Sequence, residues 1–250
     1  MLVEYDGGPF VGWQRQAHGQ GLTVQGVLEA AAVRMAGGHL ASSAVAGRTD
    51  TGVHAVGQVA MLLLPPGLGD KRVRDGLNFH LQPHPVVVLR AVRAPEGWHP
   101  RFSAIGRAYA YRILNRRARP ALHRGQVWHV DRPLDADAMA VGAELLLGHH
   151  DFTSFRASAC QAKGPMRTLD RLDVRRDGEV IEVRAEARSF LHHQVRNMVG
   201  TLKLVGEGKW RPERVGEALA ACDRRAAGPT APPDGLTLVR VEYLASPFGD

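Results

Sequence analysis

The first candidate for chemistry in this sequence is an aspartate in a short polar loop. Asp50 lies in residues 47–55, GRTDTGVHA, between a predicted helix and a predicted strand. Glycine-bounded loops on a rigid scaffold commonly present catalytic groups, and an ionised carboxylate can act as a nucleophile. Arg48, two residues earlier, could hold that carboxylate ionised through its positive charge. Alternatively, Asp50 bonds nearby backbone amides and only fixes a turn, with Arg48 as a plain ion-pair partner.

A second candidate is a basic segment that suits RNA. Residues 101–130 contain seven arginines and no Asp or Glu, with aromatic residues interleaved. Arginine makes planar bidentate contacts with phosphate and aromatic rings stack on bases, so the mixture favours an RNA-binding surface. A solvated basic face is the alternative. The arginines are Arg101, Arg107, Arg112, Arg116, Arg117, Arg119 and Arg124, and the aromatic residues are Phe102, Tyr109, Tyr111 and Trp128.

Composition restricts the class of protein. The chain has 250 residues, of which 44% are hydrophobic, enough for a sizeable core, and a net charge of +7 that favours a polyanionic partner. Its two cysteines, Cys160 and Cys222, are too few for a disulfide framework and lack the paired spacing of a structural zinc site. No long apolar run and no secretory signal are present. We therefore expect a soluble, cytoplasmic protein.

The twelve histidines raise the question of a metal site. Two pairs are adjacent in sequence, at 149–150 and at 192–193. Neighbouring residues on a helix point about a hundred degrees apart, so neither pair forms the i, i+4 face typical of metal ligands. On a helix, Arg196 would share the stripe of His192, which is also compatible with a solvated surface. We predict no bound metal.

Helices and strands alternate along the sequence. A helix is indicated by apolar residues at helical spacing from Val24 to Met35, an N-cap at Thr23 and a stop at Gly37-Gly38. Other helices are predicted at 135–148 with Asp135 as its cap, around 195–202, and from Pro212 with Val215, Leu219 and Cys222 buried. Predicted strands cover 2–5, 56–64, 86–92, 108–114, 180–187 and 236–244. The mixture predicts an α/β or α+β fold, and a proline-rich stretch predicts a boundary between residues 1–105 and 106–250.

Several further sequence blocks accompany the Asp50 loop in a fixed order. The N-terminal part carries EYDG at 4–7, GWQRQ at 12–16 and VQ at 24–25, and the middle carries HPRFSA at 99–104 and YAY at 109–111. The second half carries DFTSFR at 151–156, SFLHHQVRN at 189–197 and GLTLV at 235–239. Together with the Asp50 loop, these blocks cover nearly the whole chain and resemble the bacterial tRNA pseudouridine synthase A family.

This resemblance implies a fold, a reaction and partners. The expected fold has two lobes, a central, mostly antiparallel sheet flanked by helices, and an active-site cleft between the lobes. The expected enzyme is an isomerase that converts uridine to pseudouridine at positions 38, 39 and 40 of the tRNA anticodon stem-loop. The resemblance further implies a homodimer in which both subunits contact one tRNA, and a reaction that needs no cofactor and no metal.

The resemblance also assigns roles to individual residues. Asp50 matches the nucleophile, which could attack uracil C6 or ribose C1′ or abstract a sugar proton. Tyr109 matches a tyrosine that stacks on the target uracil and could remove its C5 proton, and Arg196 matches an arginine that pairs with the aspartate. Leu236 matches a hydrophobic residue of the base pocket, and Arg48 is expected beside the substrate. The alternative for both Tyr109 and Leu236 is a core strand position.

The expected RNA contacts include four arginines. They are placed on phosphates, so the loss of one should weaken binding without changing the chemistry. His54 is expected either to touch the RNA backbone or to shape the catalytic loop. The full set is Arg15, His54, Arg101, Arg107 and Arg112.

Four positions depart from the pattern of the family, and none removes a catalytic group. Thr51 stands where alanine is usual, Pro100 where alanine is common, Thr237 where tyrosine is common, and Ala110 where a basic or polar residue is frequent.

Two other functions compete with the isomerase. A catalytically inactive RNA-binding module is disfavoured by the joint presence of Asp50, Tyr109 and Arg196. A phosphoryl transferase with an aspartate nucleophile would need Mg²⁺ ligands such as clustered carboxylates, and none flank Asp50 in the sequence.

Overall fold

A computed structural model describes residues 1–15, 21–38 and 42–249. Their contacts group into two units, one of Met1–Gly106 with Thr237–Asp250 and one of Arg107–Leu236. Each unit is a mixed α/β structure in which helices accompany a mainly antiparallel sheet. This confirms the predicted fold class.

The secondary structure follows the chain in a mixed order. The strands are β1 (Leu2–Tyr5), β2 (Ser43–Val45), β3 (His54–Leu62), β4 (Val86–Arg90), β5 (Ala104–Asn115), β6 (Trp128–Val130), β7 (Gly148–Asp151), β8 (Met166–Asp177), β9 (Val180–Ala187) and β10 (Leu236–Tyr243). The helices are α1 (Val24–Met35), α2 (Asp70–Leu81), α3 (Ala136–Glu144), α4 (Gln194–Gly206) and α5 (Glu213–Ala220). None of these helices is long and apolar enough to span a bilayer.

The sheet of the first unit is completed by the last strand of the chain. Strand β1 lies between β4 and β3 and runs antiparallel to both, while β2 pairs antiparallel with the other end of β3. Strand β10 pairs parallel with β3, with Thr237 opposite His54. Because of this pairing, residues 237–250 belong to the first unit, whereas the sequence prediction assigned them to the C-terminal lobe.

Helix α1 forms as its sequence predicts. The Thr23 hydroxyl accepts a hydrogen bond from the Gly26 amide at 3.1 Å, which satisfies one of the amides left unpaired at a helix N-terminus. The apolar stripe is buried, with Val24 and Leu28 at most 2% exposed. Beyond the C-terminus, the Gly38 amide bonds the Val33 carbonyl at 2.8 Å.

The sheet of the second unit is a sequence of antiparallel neighbours. Strand β5 pairs with β9, β9 with β8, and β8 with β7, while the short β6 runs parallel to β5. On β5, Tyr111 and Ile113 are fully buried and Arg112 is exposed, as alternation along a strand requires.

Several expectations about the elements need correction. Helix α2 and strands β2, β6, β7 and β8 were not predicted. The predicted burial of Cys222 is wrong, because α5 ends at Ala220 and Cys222 follows it, exposed, with a φ of 46°. The premise that the two histidine pairs are helical is also wrong, since 149–150 lie on β7 and 192–193 precede the first residue of α4.

Candidate active site

The loop that carries Asp50 connects two strands of the first unit, β2 and β3, rather than a helix and a strand. Its backbone is fixed at three points. The Trp13 amide bonds the Thr49 carbonyl at 3.0 Å, the Gly52 amide bonds the Phe10 carbonyl at 3.3 Å, and the Val53 amide bonds the Asp50 carbonyl at 3.1 Å. The last bond closes a turn in which Gly52 has a φ of 77°, a conformation that favours glycine.

Side chains from β1 and β3 also bind the loop through hydrogen bonds. The buried Tyr5 hydroxyl lies 2.7 Å from the Thr49 hydroxyl, and the Gln58 amide nitrogen donates to the Gly47 carbonyl at 2.8 Å. Burial raises the pKa of Tyr5 to about 12, so the phenol remains a neutral hydrogen-bonding group at ordinary pH. Sequence reasoning missed these supports, although a glutamine that is fully buried in an apolar strand is itself a signal of a structural bond.

Asp50 is half-buried at the turn, and Arg48 points into solvent. The expected charge interaction between Arg48 and Asp50 stays a prediction. The hydrogen bonds of the loop fix where the Asp50 backbone lies.

His54 supports the loop from the first residue of β3. Its side chain is buried, with Nδ1 accepting from the Gly7 amide at 3.0 Å and lying 3.1 Å from Asp6 Oδ1. These contacts join the start of β3 to the residues that follow β1, and the expected role of His54 stays a prediction.

In the second unit, Tyr109 lies on β5 and is half-buried. Its ring packs edge-on against Phe190, with centroids 5.3 Å apart and an interplanar angle of 90°. Such edge-to-face pairs stabilise the orientation of both rings. Phe190 was overlooked as a support even though it lies in a sequence block that resembles the family.

Arg196 lies in the first turn of α4, and it both donates a hydrogen bond to Ala231 and accepts one from it. Its Nε donates to the Ala231 carbonyl at 2.8 Å, and the Ala231 amide donates to the Arg196 carbonyl at 3.1 Å. The predicted helical stripe shared with His192 does not exist, because α4 begins at Gln194. Leu236, the first residue of β10, is 6% exposed, which suits a core position as well as a pocket wall.

The arginines expected on RNA phosphates differ in how they are used within the protein. Arg15 lies 3.5 Å from a Glu29 carboxylate oxygen, and Arg112 lies 3.2 Å from one of Glu182. Arg107 donates to a backbone carbonyl, that of Arg188, at 2.5 Å. Arg101 is exposed, with its guanidinium 5.9 Å from the centre of the Phe102 ring.

Comparison with known proteins identifies the relatives of this chain. The family model described as tRNA pseudouridine synthase matches residues 1–103 and 143–244. The tRNA pseudouridine synthase A of Acidiphilium cryptum is 68% identical over 99% of this chain and 97% of its own length, and that of Paramagnetospirillum magneticum is 60% identical over 98% and 95%. A solved Cbf5-Nop10-Gar1 complex matches with a TM-score of 0.35 and 14% identity over 96% of this chain and 48% of the matched chain, too weak a likeness to establish a common fold.

These matches define a class of enzyme, the pseudouridine synthases, which are isomerases that convert uridine in RNA to pseudouridine. The chain belongs to the tRNA pseudouridine synthase A family.

Proposed function

We propose that this enzyme forms pseudouridine at positions 38, 39 and 40 of the tRNA anticodon stem-loop, with Asp50 as the nucleophile. The observation that carries the role of Asp50 is the construction of its loop. Bonds from Trp13 and Gln58 hold the backbone before Asp50, the bond from the Gly52 amide to Phe10 holds it after, and Tyr5 holds the side chain of Thr49. The half-buried carboxylate therefore projects from a fixed loop. Preorganisation of this kind is what a covalent step requires, because the reacting atom must be held in place before the reaction.

The reaction explains why a carboxylate is needed. Isomerisation breaks the bond between uracil N1 and ribose C1′, rotates the base and joins its C5 to C1′, after which the C5 proton is released. A carboxylate can attack uracil C6 or ribose C1′, or can abstract a sugar proton. Asp50 must be ionised on each of these routes.

A base within a stem is reached only after it leaves the stack, at a cost of a few kcal/mol. We assign Tyr109 to hold the extruded uracil by stacking and to accept its C5 proton. Its ring is braced by Phe190, so the stacking surface has a fixed orientation. Arg196 and Leu236 are assigned to the same reaction, as the arginine that pairs with the aspartate and as part of the base pocket.

The proposal extends to the setting of the enzyme. It acts in the cytoplasm as a homodimer in which both subunits contact one tRNA, and it uses neither a cofactor nor a metal ion. Arg48 lies at the substrate. The phosphate contacts proposed are those of Arg15, Arg101, Arg107 and Arg112.

The proposal is tested by tritium release from tRNA labelled with [5-³H]uridine, since pseudouridine formation must expel the C5 hydrogen. Wild-type enzyme should release tritium in the presence of a chelator, and only from transcripts that carry uridine at 38, 39 or 40. The Asp50→Ala variant should fall to background while it still binds tRNA.

Asp137→Ala is the matched control, because Asp137 is an exposed carboxylate in the first turn of α3. It should retain wild-type release. Full activity of Asp50→Ala would refute the assigned nucleophile, and release from uridines outside the anticodon arm would refute the assigned target.

A further inference from the structure

We propose that Arg224 and Asn197 are positioning residues that set the direction of the Arg196 guanidinium through the backbone of residues 228–231, named here the clamp segment. The inference rests on the proposed function only in that it takes Arg196 to act in the reaction. Every contact that carries it lies within the second unit.

The clamp segment is joined to Arg196 at one residue, Ala231. Because Arg196 Nε donates to the Ala231 carbonyl and the Ala231 amide donates back to the Arg196 carbonyl, the two residues form a closed pair. A guanidinium is planar and rigid, so fixing its Nε–H direction also fixes the plane and direction of both terminal nitrogens. Movement of the Ala231 carbonyl would therefore move the cation.

Asn197, fully buried on α4, holds the clamp segment in place. Its side-chain nitrogen donates to the Phe155 carbonyl at 2.8 Å, which fixes the orientation of the amide. Its Oδ1 then accepts from the Thr230 hydroxyl at 2.6 Å and from Arg224 Nη2 at 3.1 Å. Thr230 adjoins Ala231 in the chain, so this bond acts one residue from the Arg196 partner.

Arg224 binds the clamp segment at its other end. Nη1 donates to the Gly228 carbonyl at 2.8 Å, and Nη2 donates to the Thr230 hydroxyl at 3.1 Å. Burial lowers the pKa of Arg224, and it forms no ion pair with any carboxylate in the part of the chain that the structure describes. A partly buried cation without a countercharge is costly, and here neutral oxygens of one segment stabilise it.

The clamp segment also packs closely against the backbone of helix α4. A Cβ added at Gly200 would lie 1.8 Å from the Pro229 carbonyl oxygen, so the two backbones touch only because residue 200 is glycine. The Gly228 amide donates to the buried Thr201 hydroxyl at 2.9 Å, and that hydroxyl donates to the Asn197 carbonyl at 2.8 Å. Each buried polar group in this contact is thus satisfied, as a rigid network requires.

The segment continues toward the strand that carries Tyr109. The Tyr111 hydroxyl, from β5, donates to the Pro232 carbonyl at 2.8 Å, one residue beyond Ala231. The same stretch of backbone therefore bonds α4 through Arg196 and β5 through Tyr111.

The first test compares Arg224→Lys with wild-type enzyme in single-turnover tritium release and in tRNA binding. Lysine keeps the charge, but its single ammonium cannot reproduce the fork that joins Gly228, Thr230 and Asn197. We expect the single-turnover rate to fall at least about tenfold, as misplaced catalytic groups commonly cause, with the tRNA Kd unchanged within about twofold. Arg225→Lys is the matched control, because Arg225 is the neighbouring exposed arginine and pairs with Asp223, outside the clamp segment, and it should behave as wild type.

The second test observes the Arg196 side chain directly. In ¹⁵N–¹H spectra of the free protein, the Nε–H resonance of Arg196, assigned by its loss in Arg196→Lys, should be protected from exchange. Arg224→Lys should remove that protection, and Thr230→Val should weaken it. This readout does not depend on catalysis, and spectra that retain the other dispersed resonances show that the fold is intact.

The outcomes separate the two proposals. Protection that persists in Arg224→Lys, or a rate equal to that of Arg225→Lys, would overturn the positioning role. Wild-type release in Arg196→Lys would instead refute the proposed part of Arg196 in the reaction, whatever the spectra of Arg224→Lys show.

Discussion

Tyr109 combines two groups that a single substitution can separate. Phenylalanine keeps the ring and its edge-on contact with Phe190, but it lacks the hydroxyl that is proposed to take the C5 proton. Tyr109→Phe should therefore bind tRNA normally and lose about a hundredfold or more in tritium release, the usual contribution of a general base.

Tyr243→Phe is the control for this prediction. It removes a tyrosine hydroxyl that bonds the Pro100 carbonyl in the first unit, and it should leave release unchanged. Wild-type turnover in Tyr109→Phe would show that the hydroxyl takes no proton and that only the ring matters.

Tyr5 gives a prediction about pH. Its folded pKa of about 12 lies above the ordinary value of 10.0, so the folded chain holds the phenol proton more tightly than the unfolded chain does. The resulting stability is complete below pH 10 and is lost as the pH rises through 12. Tyr5→Phe removes this titration. When the pH rises from 9 to 12, the unfolding free energy of the variant should therefore fall by about 2 to 3 kcal/mol less than that of the wild type.

Urea unfolding at a series of pH values measures this difference. Tyr111, whose pKa is also raised by burial, is present in both proteins and contributes equally to both slopes. Parallel curves for wild type and Tyr5→Phe would exclude Tyr5 as a group whose titration couples to folding.

At the residue scale, sequence blocks identified the candidate residues but not what holds them. Asp50, Tyr109 and Arg196 all lie in blocks that resemble the family. Their supports, by contrast, are distant in sequence: Tyr5 is 44 residues from Thr49, and Ala231 is 35 residues from Arg196. No local pattern encodes such a pair.

At the scale of elements, α1 was predicted with its N-cap and α2 was missed. Helix α1 has a threonine cap and a wide apolar stripe, whereas α2 begins at Gly69 without a side-chain cap and buries only Val73, Leu77 and Leu81. Phe79 is a large apolar residue that is 73% exposed, so it interrupts the spacing of apolar residues that would indicate a helix. Tertiary packing of a narrow stripe stabilises this helix.

Strand β8 was missed for a different reason. Its two buried leucines, Leu169 and Leu172, are three residues apart, a spacing that contradicts the two-residue period of a strand. The register shifts between Leu169 and Arg171, and this bulge returns both leucines to the same face, opposite Ala187 and Ala185 of β9. A bulge position is set by the partner strand, so the sequence of β8 alone does not reveal it.

The loop between β5 and β6 carries four arginines, three of which are exposed. Arg116 at its start pairs with Glu179 at 2.8 Å, which joins the loop to the turn between β8 and β9. Arg117, Arg119 and Arg124 are exposed and form no ion pair within the described ranges of the chain. Arg112, earlier on β5, must exchange Glu182 for any phosphate that it binds.

Removing the three unpaired arginines together should weaken tRNA binding. In the triple alanine variant of Arg117, Arg119 and Arg124, the slope of log Kd against the logarithm of the salt concentration should fall by about 2 to 3. Each phosphate contact contributes roughly one to this slope. Fluorescence anisotropy over a range of salt concentrations measures this change.

The matched control carries the same loss of charge elsewhere. Arg211 and Arg214 both pair with Glu217, and Arg225 pairs with Asp223, so their triple alanine variant removes equally many cations that already have partners. An equal loss of slope in both triple variants would show that only net charge matters, and that the loop is not an RNA contact.

At the scale of the whole molecule, the proposed homodimer has a direct test. Sedimentation equilibrium should give twice the 27.2 kDa mass of one chain at micromolar concentration. A monomer that is fully active in tritium release would refute the proposal that two subunits serve one tRNA.

The division of the chain was only partly accessible from sequence. The proline-rich stretch predicts a boundary near residue 105, the contacts group Met1–Gly106 apart from Arg107–Leu236, and β10 was predicted as a strand. The strand that β10 pairs with was not predicted. The parallel pairing of Thr237 with His54 joins residues more than 180 positions apart, whereas turn residues in a sequence indicate only the pairing of strands that are neighbours in the chain.

That pairing has a consequence for the order of synthesis. Residues 107–236 form the second unit, so all of it is translated before the strand that completes the sheet of the first. Until β10 emerges from the ribosome, the edge of β3 that begins at His54 lacks its parallel neighbour, and the nascent first unit exposes an open sheet edge of the kind that invites mispairing. The second unit can fold during translation, whereas the sheet of the first unit is completed only when its final strand has been synthesised.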